Sequence, residues 1–262
     1  MTTGELKDED GTDGRATVVI TSPVNPARCP PAPYERASLI AHYLKSRKPR
    51  SKVIVLDQKE NFTMQKLFEA AWQELYPGLI EWVGLSNGGA LSQIEASSKT
   101  ISTDFDKYQA AVASIIPTQK AGRAADLAHV ADRTGWCPVD PLTFESKLQK
   151  NIHVIGDAAI AGAMPRSASA AQSQSRICAA AIAALFAGKS PEQPTLTSSC
   201  YSLIAPDYAI SQRGTYRPVD DLYVEAGPGV IYSPADAPRS VRKDEADQDD
   251  AWFRTITGET FG

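Results

Sequence analysis

Short apolar runs without alternation punctuate the first third of the chain, separated by segments with helical spacing. Residues 16–21 (ATVVIT) and 52–56 (KVIVL) read as strands buried on both faces of a parallel sheet. Between them, residues 37–45 (ASLIAHYLK) place Leu39, Ile40, Tyr43 and Leu44 on one helical face, so the three segments predict a β-α-β unit. A second amphipathic helix is predicted over 63–75, capped by Asn61 or Thr63 and ended before Pro77-Gly78, with Phe68, Trp72 and Leu75 facing the core. Short strands at 81–83, 92–94 and 99–102, around the Asn87-Gly88-Gly89 turn, predict an antiparallel side sheet. A buried strand over 110–116 and a short helix within 121–131 follow. Residues 151–157 (NIHVIGD) carry the clearest strand signal, ahead of an Ala- and Ser-rich helix over 168–187. Past a linker at 188–199 the composition shifts to Tyr, Pro, Gly and Asp. Strand candidates at 201–204, 209–211 and 219–225 predict a small β-rich addition, and the charge run 239–250 is a solvated face or the start of a terminal helix.

The loop after the first strand changes this picture from a generic α/β unit to a candidate site. Pro26, Pro30, Pro31 and Pro33 fix φ and remove backbone donors, so residues 25–34 predict a rigid corner rather than a helix, and the corner carries Cys29. A second cysteine-proline loop, residues 135–141 (GWCPVDP), carries Cys137. With Cys178 and Cys200 there are four cysteines and no CxxC, which leaves a functional pair or isolated buried thiols both open. The histidines His42, His129 and His153 form no short-spaced ligand pair, so no metal site is expected, and His153 reads as a packed, hydrogen-bonded core residue. Asp57 closes the second strand where dinucleotide domains hold a ribose. Prolines stand where the GxGxxG glycines would be required, so nicotinamide binding is not expected and Asp57 reads as a turn or cap. Gly156-Asp157 sets a carboxylate at a strand end before a helix. That position suits ribityl or phosphate groups, and it equally suits a plain turn cap.

Composition narrows the partners. The 262 residues are 42% apolar with a formal net charge of -4, which gives no basic face for a nucleic-acid backbone. No run approaches the roughly 20 apolar residues that span a bilayer. Residues 1–14 are polar and acidic where an export signal needs a basic start and an apolar centre.

The motifs NPARCPPAPYERAS, KVIVLD, GWCPVDP, IHVIGDA with MPRS, and SCYSLIAP together resemble the flavoprotein subunit of flavocytochrome c sulfide dehydrogenase, and more distantly sulfide:quinone reductases and glutathione-reductase-like flavoproteins. The resemblance implies an α/β, two-dinucleotide-domain flavoprotein fold, N-terminally truncated, with a small C-terminal α+β interface domain. It divides the chain into most of the inserted NAD-type domain (1–120), the returning part of the FAD-binding domain (121–188) and the C-terminal flavin-binding and interface domain (189–262). It implies FAD as cofactor, sulfide as substrate, a c-type cytochrome as partner, a periplasmic location and a companion chain supplying the N-terminal FAD-binding segment. By the same resemblance Cys29 and Cys137 form a redox-active disulfide over the flavin, and Glu35 moves the substrate proton. Gly156, Asp157, Pro165, Arg166, Ser167 and Trp252 then contact the cofactor, with Arg166 standing where the family has Lys. The physical expectation is that sulfide attacks the disulfide and electrons leave through the flavin. The competing expectation is a non-catalytic structural or partner-binding fragment, unable to hold FAD alone.

Overall fold

The computed structural model describes residues 16–262, and the acidic segment over which no export signal was expected lies outside the described residues. The β-α-β unit consists of β1 (Thr17–Ser22), α1 (Ala32–Arg47) and β2 (Lys52–Asp57), the strands pairing in parallel with Val19 opposite Ile54. After α2 (Gln65–Leu75), β3 (Ile80–Val83) joins β2, also in parallel. An antiparallel excursion of β4 (Leu91–Glu95), β5 (Thr100–Thr103) and β6 (Lys107–Gln109) follows, and β7 (Val112–Ser114) returns to the far side of β1. The sheet order is therefore β3-β2-β1-β7, which places the topological switch point between β1 and β7. Val18, Ile20, Val53 and Val55 pack against Tyr34, Leu44, Phe68 and Trp72, while Val19, Ile54 and Leu56 pack with Ile101 from the antiparallel layer. Both faces are covered, which is why these strands read as unbroken apolar runs.

Several boundaries differ from the sequence expectation. The corner ends at Pro31, because α1 already starts at Ala32. Pro33 sits in the first helical turn, where its fixed φ suits the helix and its missing N–H has no partner to lose. Residues 81–83 join the parallel sheet and not the side sheet. Neither Asn61 nor Thr63 caps α2: Met64 does, at φ 58, and the Thr63 hydroxyl lies 2.8 Å from Gln212 Oε1. The helix within 121–131 contracts to α3 (Arg123–Leu127).

The largest departure is the segment 151–157, which forms no strand. Asn151 (φ 64) and Gly156 (φ 72) adopt left-handed conformations that break an extended run, and the segment folds back on residues 144–146 through Ser146 N–H to Ile152 O (2.7 Å) and Val154 N–H to Phe144 O (2.9 Å). A 3₁₀ turn covers Gly156–Ala158. The strand falls later, at β9 (Ala159–Ile160), paired in parallel with β8 (Cys137–Pro138). His153 is half-buried, its Nδ1 2.8 Å from Thr143 O.

After α4 (Ala168–Phe186), an antiparallel sheet forms from β10 (Leu196–Ala205), β11 (Tyr208–Val219) and β12 (Leu222–Glu225), with the short β13 (Ile231–Tyr232) paired to β11. Ile204, Tyr208 and Ile210 enter the same core as α1 and α2, and Tyr76 Oη donates to Ile204 O at 2.6 Å, so this sheet is welded to the first β-α-β unit. The terminal helix α5 (Arg239–Phe261) docks on it through buried Glu245, which accepts from Ser211 Oγ (2.6 Å) and Ser233 Oγ (2.5 Å) and faces Arg242 at 3.4 Å. Among the described residues no helix is long and apolar enough to cross a membrane.

Candidate functional site

Cys29 leaves β1 in a left-handed conformation (φ 46), and its backbone is tied on both sides. Its N–H donates to Arg166 O at 2.6 Å and its carbonyl accepts from Ala32 N–H at 2.9 Å. The Arg166 guanidinium in turn lies over the Trp136 ring, 4.1 Å from its centroid, while its Nε donates to Asp157 O at 2.9 Å. Arg166 thus joins the Cys29 loop to the loop bearing Cys137.

The disulfide expectation fails here. All four cysteines are free, and no pair lies at disulfide distance. Cys137 is fully buried on β8 among Ala121, Ala125, Val130 and Trp136, with its thiol pushed up first by burial and then by Asp132 and Asp126. Cys29 is solvent-accessible, yet the protein around its cleft still desolvates the thiolate. Its pKa is pushed up to about 11, first by desolvation and then by Cys200, Glu35 and Asp157. The groups acting on Cys29 and on Cys137 do not overlap. What connects the two loops is an arginine–tryptophan stack and a main-chain hydrogen bond, not sulfur.

Glu35 sits in the first turn of α1, where Leu203 N–H from β10 donates to its Oε1 at 3.3 Å. Burial, opposed by that hydrogen bond and reinforced by Asp249 on α5, raises its pKa to about 7. Pro165 and Arg166 line a cleft beside the Cys29 loop. Ser167 is buried and caps α4, accepting from Ala170 N–H at 3.2 Å with Ser198 Oγ also at 3.2 Å. Gly156 and Asp157 form the 3₁₀ turn outside the cleft lining, and the Gly156 N–H is taken by the buried Gln174 side chain at 2.7 Å. Trp252 lies half-buried on α5, also away from the lining.

The cleft has a volume of about 510 Å³. Its apolar walls are Pro26, Pro30, Phe62, Met164 and Pro165, and its polar rim includes Lys59, Arg166, Gln212 and Tyr216. Lys59 is held in place by the buried carboxylate of Asp57 (2.6 Å), Ser22 Oγ (2.7 Å) and Pro23 O (2.9 Å). Asp57 is 0% exposed and also accepts from Tyr34 Oη (2.5 Å) and Trp82 Nε1 (3.0 Å), so no carboxylate remains for a ribose.

Two family models match the chain. Residues 7–117 match the central part of the sulfide dehydrogenase (flavocytochrome c) flavoprotein chain, and residues 192–261 match the flavin-binding part of flavocytochrome c sulphide dehydrogenase. The chain belongs to this family. Its fold is that of α/β flavoproteins related to the pyridine nucleotide-disulphide oxidoreductases. The HOCl-induced flavoprotein disulfide reductase RclA from Escherichia coli, solved as a Cu(II) complex, superposes with TM-score 0.52 at 14% identity, over 76% of this chain and 42% of its own. A FAD-dependent pyridine nucleotide-disulphide oxidoreductase from Desulfovibrio vulgaris superposes with TM-score 0.51 at 16% identity, over 76% of this chain and 49% of its own. The chain therefore spans less than half the length of these two structures.

The cleft lining fits the flat heteroaromatic part of a flavin, with proline and aromatic faces to cover a ring and amide, guanidinium and phenol groups to meet its polar edge. Both matched segments supply walls, through residues 25–63 and 198–232. Sequence reasoning missed Lys59, Met164, Gln212 and Tyr216. Of these Lys59, two residues beyond a strand-closing Asp, and Met164, which opens the MPRS motif, carried a local signal; Gln212 and Tyr216 enter the cleft through packing of distant segments.

Proposed function

We propose that this chain forms the flavin-facing half of a sulfide-oxidising flavoprotein built on the two-dinucleotide-domain plan. The carrying observation is the 510 Å³ cleft to which the Cys29 loop, the 162–166 loop and the β10–β11 face all contribute. In this reading Pro26, Pro30 and Met164 cover the ring, and Arg166 and Gln212 meet its polar edge. Bound FAD supplies a two-electron acceptor. Glu35, its pKa raised to about 7 and its charge felt at Cys29, is the candidate acceptor for the proton that hydrogen sulfide loses; Cys29, a neutral thiol at neutral pH, stands on the wall of the neighbouring cavity that shares Pro30 and Lys59 with the cleft. A c-type cytochrome as electron acceptor, a periplasmic location and a companion segment holding the adenosine half of FAD belong to the same proposal.

Titration of FAD with the purified chain, read by quenching of flavin fluorescence and followed by anaerobic sulfide, tests it. Quenching that weakens at least about fivefold in affinity on Arg166→Ala, with bleaching of the visible flavin band by sulfide, is expected. Free FAD fluorescence at all chain concentrations, with and without the companion segment, refutes the reading. Quenching without bleaching identifies a flavin-binding but non-catalytic chain.

A further inference from the structure

A second cavity of about 380 Å³ opens at the switch point, between the loop after β1 and the segment after β7. In open α/β sheets this crevice is the usual place for a ligand, and a nucleotide phosphate there is held by free N–H groups of the following helix. Those groups are exhausted in this chain. Ala32 N–H is bonded to Cys29 O (2.9 Å), Pro33 has none, and the N–H groups of Tyr34 and Glu35 turn to Pro31 O (3.1 and 3.0 Å). With the Asp57 carboxylate also consumed, neither half of a nucleotide site remains. What the cavity offers is positive charge. Arg28, Arg36 and Lys59 line it, and among the described residues no Asp or Glu does. Asp57 compensates Lys59, whereas Arg36 is braced by a neutral group, Ser114 Oγ at 2.6 Å. Cys29 forms part of the wall, and the carboxylates acting on it, Glu35 and Asp157, lie outside the lining.

We propose that this cavity is an anion vestibule, in which Arg28 and Arg36 gather hydrosulfide, rather than a nucleotide, at the Cys29 wall. The identity of the anion rests on the sulfide-oxidising reading above; the selection of small anions does not. A cationic cleft with low-dielectric walls raises the local concentration of its counter-ion and loses that advantage with salt.

The experiment compares alkylation of Cys29 by iodoacetate and by neutral iodoacetamide, read by peptide mass spectrometry. Dividing the two rates cancels the thiolate fraction. The ratio at Cys29 is expected to exceed that of free cysteine by about threefold or more at low salt, and to collapse to that of free cysteine in Arg28→Gln/Arg36→Gln. Free cysteine is the reference throughout, and both arginines are exposed, so the core is untouched. Azide, a small linear anion, should protect Cys29 where ADP does not. A ratio at or below that of free cysteine, a ratio unchanged in the double variant, or better protection by ADP than by azide overturns the proposal. No flavin is involved, so failure of FAD to bind leaves this outcome standing, and failure here leaves the flavin titration unaffected.

Discussion

Replacement of Lys59 by Met isolates the buried charge on which the β1–β2 edge depends. Its ammonium makes three hydrogen bonds, to Asp57 Oδ1, Ser22 Oγ and Pro23 O, and its side chain is 15% exposed against 0% for Asp57. Removing one member of a buried pair typically costs about 3–5 kcal/mol, because the other charge stays desolvated. Here Tyr34 Oη, Trp82 Nε1 and the Lys59 backbone N–H still donate to the carboxylate, which lowers the expectation to roughly 2–4 kcal/mol. For a chain of this length that is a fall in Tm of roughly 4–16 °C. Urea unfolding of Lys59→Met, Asp57→Asn and the double variant measures it. Because Asp57→Asn removes the charge that Lys59→Met strands, the double variant should recover at least about 1 kcal/mol relative to the sum of the singles. Strict additivity, or a Lys59→Met cost below about 1 kcal/mol, would refute the view that this ammonium holds the Asp57 carboxylate.

Two further outcomes follow from the site. Glu35 has a folded pKa of about 7 against an ordinary value of 4.5, so between those limits the folded state binds more protons than the unfolded one and stability falls as pH rises. Urea midpoints of the native chain should decline from pH 4.5 to 7 relative to Glu35→Gln, and parallel profiles would exclude the raised acid. Arg166→Ala removes the Trp136 stack but keeps the main-chain carbonyl to which Cys29 N–H donates, so amide hydrogen exchange should rise about tenfold in residues 134–139 and far less in 27–33; unchanged exchange in 134–139 contradicts the bracing role of the stack.

The β1-α1-β2 unit was legible because Val18, Val19 and Ile20 are apolar in succession, as only a strand covered on both faces requires. The start of α1 was hidden because Pro31 and Pro33 act as breakers within a helix yet as good first-turn residues, and sequence alone does not say which side of the boundary they occupy. Residues 151–157 misled for a different reason. Their apolar content satisfies a buried loop as well as a strand, and the positive φ at Asn151 and Gly156 decides between them. At the site, the motifs located the Cys29 and Cys137 loops, but not the separation of their thiols. Between the two loops stands Arg166 on Trp136, a contact between residues 30 apart whose existence no local pattern announces.

Cys137, walled by Ala121, Ala125, Val130 and Trp136, sits on a very small strand pair. The β8–β9 pair has two rungs, Cys137 with Ala159 and Pro138 with Ile160. A proline offers no N–H to such a ladder, so little main-chain bonding must be broken to open it. Local opening free energies scale with the contacts a segment makes, and the smallest cooperative units open first. The rate at which Cys137 meets any reagent should accordingly follow how often this pair and its apolar wall open together, and only secondarily the acidity of its thiol.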